Sequence, residues 1–184
     1  MRHFILLLMV AGTTSCASSG SPRTGIAAPT ERVVATDADN IYRTTVRPNP
    51  KVALPVAPSR SFDALKAVYA ELGIPQVVSD PATGQVGNGN FFKSRQLADQ
   101  PISTYLDCGD SLTGPAADIY RIYMSLVSVI RPSGNGTSEL ETAFRASAQN
   151  MSGAAAERVA CTSTGRFEER IQRMVLLKTG ATPQ

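Results

Sequence analysis

Tryptophan is absent from this 184-residue chain, and histidine occurs once, as His3. With His3 in a segment read below as a leader, the remaining chain has no imidazole. That removes serine–histidine and cysteine–histidine catalysis, histidine-bound zinc and haem in their usual forms. The chain also has no G-x-S-x-G, S-x-x-K, P-loop or complete G-x-G-x-x-G motif. No apolar run reaches the roughly 18 residues of a spanning helix. Lys and Arg number 18 against 15 Asp and Glu, for a net charge of +3, and are scattered without a basic block. Nucleic-acid binding has no support in that pattern.

What is present starts with an address. Arg2 and His3 form a basic n-region, 4–11 is an apolar h-region of eight residues, and Gly12-Thr13-Thr14-Ser15 precedes Cys16. This is the layout of a secretory signal over 1–15. A cysteine directly after small residues resembles the bacterial lipoprotein pattern, although Thr13 stands where that pattern has Leu, Val or Ile. The resemblance implies that Cys16 becomes the acylated N-terminus. Ala17 after it implies the periplasmic side of the outer membrane, if the cell has two membranes. The other reading is plain secretion, soluble or periplasmic, with cleavage near Ala17.

If Cys16 carries lipid, Cys108 and Cys161 remain as a pair in an oxidising compartment. A disulfide there closes a loop of 53 residues. On a chain-entropy argument it contributes about 4 kcal/mol. Two buried free thiols are the alternative.

Residues 16–49 read as an acylated N-terminus and flexible tether, with Pro22, Pro29 and Pro48 spread through it and no sustained apolar period. Ile41 to Val46 is its most strand-like part, an edge strand. Residues 50–179 read as one α+β domain, and 180–184 as a disordered tail.

The domain is organised around a hairpin. From Ile119 to Ile130 the chain alternates, with Tyr120, Ile122, Met124, Leu126 and Ile130 on one face. Pro132-Ser133-Gly134-Asn135-Gly136 is a turn, which also accounts for the glycosylation-like Asn135-Gly136-Thr137. A second strand, Thr137 to Ala148, carries Leu140, Phe144, Ala146 and Ala148 on one face, and Glu139, Glu141 and Arg145 on the other. Before the hairpin, Lys51 to Val56 is a first strand. A helix follows, capped by Ser61, with Phe62, Leu65, Val68, Tyr69 and Leu72 on one face and Gly73 ending it. Ile74 to Val78 starts a strand, Asp80 to Gly84 is a turn, and Gln85 onward is a strand interrupted at Gly87–Asn90 by a bend or bulge. Thr104 to Asp107 is a further strand, and Gly109 to Ala117 a loop. A closing helix runs from Thr162 to Leu177, with Phe167, Ile171, Met174 and Val175 as its apolar stripe.

The Ser-Phe-Asp-Ala cap, a helix ending Leu-Gly-Ile, a strand and Asp-x-x-Thr-Gly span about Val52 to Phe92. This stretch resembles the repeated domain of NlpB-like outer-membrane assembly lipoproteins; the rest resembles a bacterial envelope lipoprotein family. The resemblance implies a helix-grip-like fold, an antiparallel sheet with two helices packed on one face.

Candidate chemistry is sparse. Asp107, Asp110 and Asp118 crowd Cys108 but lack the alternating spacing of a calcium loop, and read as turn caps. Glu139 and Glu141 share a solvated strand face. No catalytic, cofactor or metal residues are assigned. Two non-catalytic readings remain. The first is an envelope lipoprotein docking an envelope protein partner on a strip of Ile119, Tyr123, Val127 and Val129, touching the membrane only through its lipid; the other reading of that strip is that the tether end folds back over it, with Ile41 and Val46 lying across it. The second is a small apolar ligand held between the closing helix and the sheet, at Met124, Leu126 and Phe144. An enzyme ranks third. A filled interior with an exposed strip favours docking; a closed cavity favours the ligand.

Overall fold

A computed structural model describes residues 30–35, 41–46, 49–151 and 158–181. The signal segment, Cys16, most of the tether and the end of the tail lie outside the described residues. In chain order, β1 (Thr30–Ala35) and β2 (Ile41–Val46) are followed by β3 (Lys51–Leu54) and α1 (Pro58–Glu71). Then come β4 (Val78–Asp80), β5 (Gln85–Ser94), and the short pair β6 (Gln96–Leu97) and β7 (Gln100–Pro101). A 3-10 turn at Ile102–Thr104 leads to β8 (Leu106–Asp107), β9 (Asp110–Ser111), β10 (Gly114–Pro115) and the four-residue α2 (Ala116–Ile119). The chain closes with β11 (Arg121–Pro132), β12 (Ser138–Gln149), β13 (Arg158–Ser163) and α3 (Arg166–Thr179).

The fold is α+β, built on an antiparallel sheet in the order β4-β5-β11-β12-β13-β8. β11 and β12 pair along their whole length, from Arg121↔Gln149 to Pro132↔Ser138. β12 is long enough to take two neighbours on its other edge. β3 pairs with Ser138–Glu141 and β13 with Ala146–Gln149. The expected strand at Ile41–Val46 exists, but it pairs with Thr30–Ala35 in a separate two-stranded sheet and is no edge of the main one.

Both long helices pack on one face. Ile122, Met124, Leu126, Ser128 and Ile130 alternate inward on β11 and are buried. The Tyr69 hydroxyl of α1 lies 2.9 Å from Ser128 on that face. The Phe167 ring of α3 lies 5.3 Å from Phe144, the inward partner of Leu126 on β12. Each fully buried aliphatic or aromatic side chain contributes about 1.5–3 kcal/mol relative to exposure. Both helices end in the same way. Gly73, at φ +64°, lets the Ile74 amide reach back to the Tyr69 carbonyl at 3.0 Å. Gly180 does the same for Ala181 and Leu176, also at 3.0 Å. The left-handed residue closes the otherwise open carbonyls of the last turn.

Several sequence expectations shift. α1 begins at Pro58, three residues before the expected cap at Ser61. Proline suits that first position because its missing N–H would find no intrahelical partner there. Ser61 is therefore inside the helix, buried, with its Oγ 2.7 Å from Ser138 Oγ. β11 begins at Arg121 because Ile119 is taken up by α2, anchored through Asp118, which accepts the Ser103 amide at 2.8 Å and hydroxyl at 2.6 Å. α3 begins at Arg166 because Thr162 and Ser163 complete β13 by pairing with Asp107 and Leu106. β13 itself is absent from the sequence reading. The strand expected from Ile74 starts only at Val78, and Thr104–Asp107 contracts to Leu106–Asp107. The bulge at Gly87–Asn90 is present: Gly89 and Asn90 stand opposite the single residue Ser125 of β11.

Cys108 and Cys161 are disulfide-bonded, with an S–S distance of 2.04 Å. The bond ties β13 to the residue that follows β8, beside the two residue pairs those strands share.

Candidate docking surface

The helix-free face of the sheet is set by alternation. With the even-numbered residues of β11 and β12 inward, Tyr123, Val127 and Val129 point outward and are half-buried. Among the described residues neither long helix lies on this side. Ile119 does not join the row. It ends α2, is 46% exposed, and is separated from Tyr123 by the change from helix to strand. The expected strip is thus corrected to Tyr123, Val127 and Val129.

Phe92 of β5 continues the row sideways. It is directly opposite Tyr123, 58% exposed, with ring centroids 6.4 Å apart. Each ring carries a guanidinium. Arg158 lies 3.7 Å from the Tyr123 centroid and Arg121 lies 5.2 Å from that of Phe92. Hydrogen bonding from Arg121, with the positive charge of Arg121 and Arg158 adding to it, holds the Tyr123 phenol below its usual range.

The other end of the face is electrically closed. Glu141 accepts from Asn49 at 3.0 Å and Arg131 at 2.6 Å, with the Lys51 ammonium at 3.8 Å. Lys51 also reaches Glu139, at 3.2 Å. The Asn49 and Arg131 hydrogen bonds keep Glu141 ionised below the usual carboxylate range. A carboxylate so held is a poor proton donor, which counts against a general acid/base pair at Glu139 and Glu141.

The proposed ligand residues fall elsewhere. Met124, Leu126 and Phe144 are at most 7% exposed and sit in the continuous core with Phe167 and Ile171. Packed rings occupy the space between α3 and the sheet, where Phe167 also meets Tyr105 at 4.8 Å. Two surface grooves do not involve those residues. One, of about 490 Å³, lies between the start of α1 and the Asp80–Gly84 turn, with Phe62, Lys66, Thr83 and Arg131 among its walls. Its Lys66 lies 5.9 Å over the Phe62 ring, and its Arg131 is engaged by Glu141. The other, of about 370 Å³, is a shallow hydroxyl-lined depression at Thr162–Thr164 and Asp107.

Two of the aspartates near Cys108, Asp107 and Asp118, accept backbone amides. Asp107 accepts the Gly109 amide at 3.0 Å, and Asp118 holds Ser103 as described. Cys108 is committed to Cys161. Sequence reasoning missed the arginines at Tyr123. Their signal in the sequence is partial: alternation places Arg145 outward, but Arg121 and Arg158 meet the aromatics only through strand register.

No protein-family model matches the chain, and no curated protein matches it.

Proposed function

We propose that this chain is a non-enzymatic envelope lipoprotein, anchored through Cys16, whose folded domain docks a protein partner on the outward sheet face. The observation that carries the reading is the half-exposed row of Tyr123, Val127 and Val129 over a filled interior, next to the exposed Phe92 ring. An apolar body with a polar tip, as in Tyr123, suits a surface that must be wet when free and dry when bound. The non-enzymatic part rests on the commitments of the candidate groups: Cys108 is in a disulfide and Glu141 is held ionised by Asn49 and Arg131. Apolar-ligand binding loses its support, because Met124, Leu126 and Phe144 are packed rather than facing a cavity.

The test is Tyr123→Glu, with cross-linking of the chain to its envelope partner and thermal melting measured together. Loss of the cross-linked partner with a nearly unchanged melting temperature supports docking. A large drop in melting temperature marks Tyr123 as a stability residue, and retention of the partner rejects this face.

A further inference from the structure

The Tyr123 end of the outward face differs from the rest in charge. Arg121, Gln149 and Arg158 form one cross-strand row over β11, β12 and β13. Tyr123, Ser147 and Ala160 form the next, and Arg145 stands opposite Ser125 beyond them. Neighbouring strands are about 4.8 Å apart. Two small side chains, Ser147 and Ala160, are thus flanked by Arg121 and Arg158 on one side and Arg145 on the other. Among the described residues no carboxylate pairs with any of the three arginines. Glu139 and Glu141 are at the far end, tied to Lys51 and Arg131. Asp107 is two strands over from Arg145 in the register and caps the Gly109 amide.

We infer that this end of the face takes an acidic segment of the docked protein, reading its carboxylates through Arg121, Arg145 and Arg158 above the Ser147–Ala160 floor. The inference rests on the docking reading above and adds the chemistry of the partner. Arg158 and Arg121 lie over the Tyr123 and Phe92 rings, so those ring faces are already occupied by the protein's own cations. The guanidinium N–H groups not turned to the Tyr123 phenol are then the ones presented, and they match carboxylates. Stacking also restricts the guanidiniums before binding, which lowers the entropy lost when an anion is gripped. The Tyr123 phenol is lowered chiefly by hydrogen bonding from Arg121, with the charges of Arg121 and Arg158 adding to it, consistent with the cations gathered at this end. A lipid surface is the lesser fit, because a guanidinium lies over one face of each ring and keeps charge at the apolar tips that insertion would bury.

The probe is a fluorescent oligoglutamate peptide, titrated into the full chain and followed by anisotropy at low and physiological salt. Binding is expected, weakening as salt rises, and falling by about tenfold or more in the Arg121→Glu/Arg158→Glu double variant. Arg173→Glu, an exposed arginine on α3, should leave it unchanged. No peptide binding, binding indifferent to the double reversal, or an equal loss in Arg173→Glu overturns the inference. Binding to phosphatidylglycerol vesicles without binding to the peptide overturns it in favour of a membrane contact. The docking reading fails separately. If Tyr123→Glu removes the partner but the double reversal retains it, docking stands and the acidic chemistry falls.

Discussion

The Tyr69 hydroxyl lies 2.9 Å from Ser128 Oγ, joining the last turn of α1 to the middle of β11 inside the apolar core. Ser128 Oγ is also 2.8 Å from Thr142 Oγ1 on β12. A helix packed on leucines alone can slide; a buried hydroxyl chain fixes its position, because each group displaced from its partner is costly to leave unmade. Ser61 and Ser138 repeat the device one end along, at 2.7 Å.

Ser128→Ala removes the hydroxyl that Tyr69 and Thr142 share, and should cost about 1–3 kcal/mol. Tyr69→Phe leaves Ser128 and Thr142 bonded and should cost about 1 kcal/mol. Urea denaturation of both variants checks the order. Burial pushes the Tyr69 phenol far above its usual range, with the Ser128 hydrogen bond only partly opposing the shift. A raised folded-state value favours the neutral phenol. Its stabilisation is present below the unfolded value of about 10 and is lost as pH rises beyond it. The alkaline fall in stability above that pH should be shallower in Tyr69→Phe than in the wild type.

Gly84, at φ +67°, packs against the Ile130 backbone, and its carbonyl accepts the Ile130 amide at 2.9 Å. A Cβ there would enter the Ile130 carbonyl. Gly134, at φ +81° in the hairpin turn, has open space around the same position. Gly134→Ala should therefore cost only the left-handed conformation, about 1–2 kcal/mol. Gly84→Ala should cost more, with the strand pairing of β4, β5 and β11 disturbed, as read by denaturation and amide exchange.

These elements were not equally legible in the sequence. The β11–β12 hairpin shows because its period of two runs over 12 residues in each strand, and its turn is marked by proline and two glycines. β13 does not show, because Arg158, Val159 and Ala160 are all exposed and burial imposes no alternation on them. Pairing with β12 and the disulfide hold that strand instead. The start of α1 is not legible because Ser61 looks like a cap, whereas its hydroxyl serves Ser138, 77 residues away. Ser128 broke the inward apolar phase of β11, and that polar intrusion was the available signal for the buried hydroxyl chain. The arginine-rimmed surface was hidden for a related reason: it is assembled from three strands, one of which has no pattern of its own.

Reducing Cys108–Cys161 should lower stability by about 4 kcal/mol on the chain-entropy estimate for its 53-residue separation. The loss should be concentrated first at β8 and β13, which share only two residue pairs. Comparing urea midpoints of the Cys108→Ser/Cys161→Ser variant and the oxidised chain gives the size. Amide exchange gives the place, with β11 expected to hold protection longest.

Cys16→Ser tests the anchor. Lipidation at Cys16 requires the variant to leave the membrane pellet and appear in the soluble envelope fraction. Continued pelleting of the variant rejects the lipid as the means of attachment. The folded domain should be unaffected, since its disulfide uses the other two cysteines.

Leu126 and Val127 are neighbours in the chain and face opposite sides of the sheet. Leu126 is fully buried, opposite Phe144 on β12; Val127 is half-buried on the outward face, opposite Ala143. Truncating Leu126 to Ala opens a cavity in a core that the helices cannot close, and should cost about 2–5 kcal/mol. Val127→Thr keeps the branched shape and strand preference, and places its hydroxyl where water reaches it. Its cost should stay below about 1 kcal/mol. Partner capture should show the reverse order. Leu126→Ala should retain the partner at temperatures where the variant is folded, whereas Val127→Thr together with Val129→Thr should weaken it by thinning the apolar row beside Tyr123. If the two valine substitutions destabilise the chain as much as Leu126→Ala, the outward face is a second core needing cover, and the docking surface must be sought elsewhere.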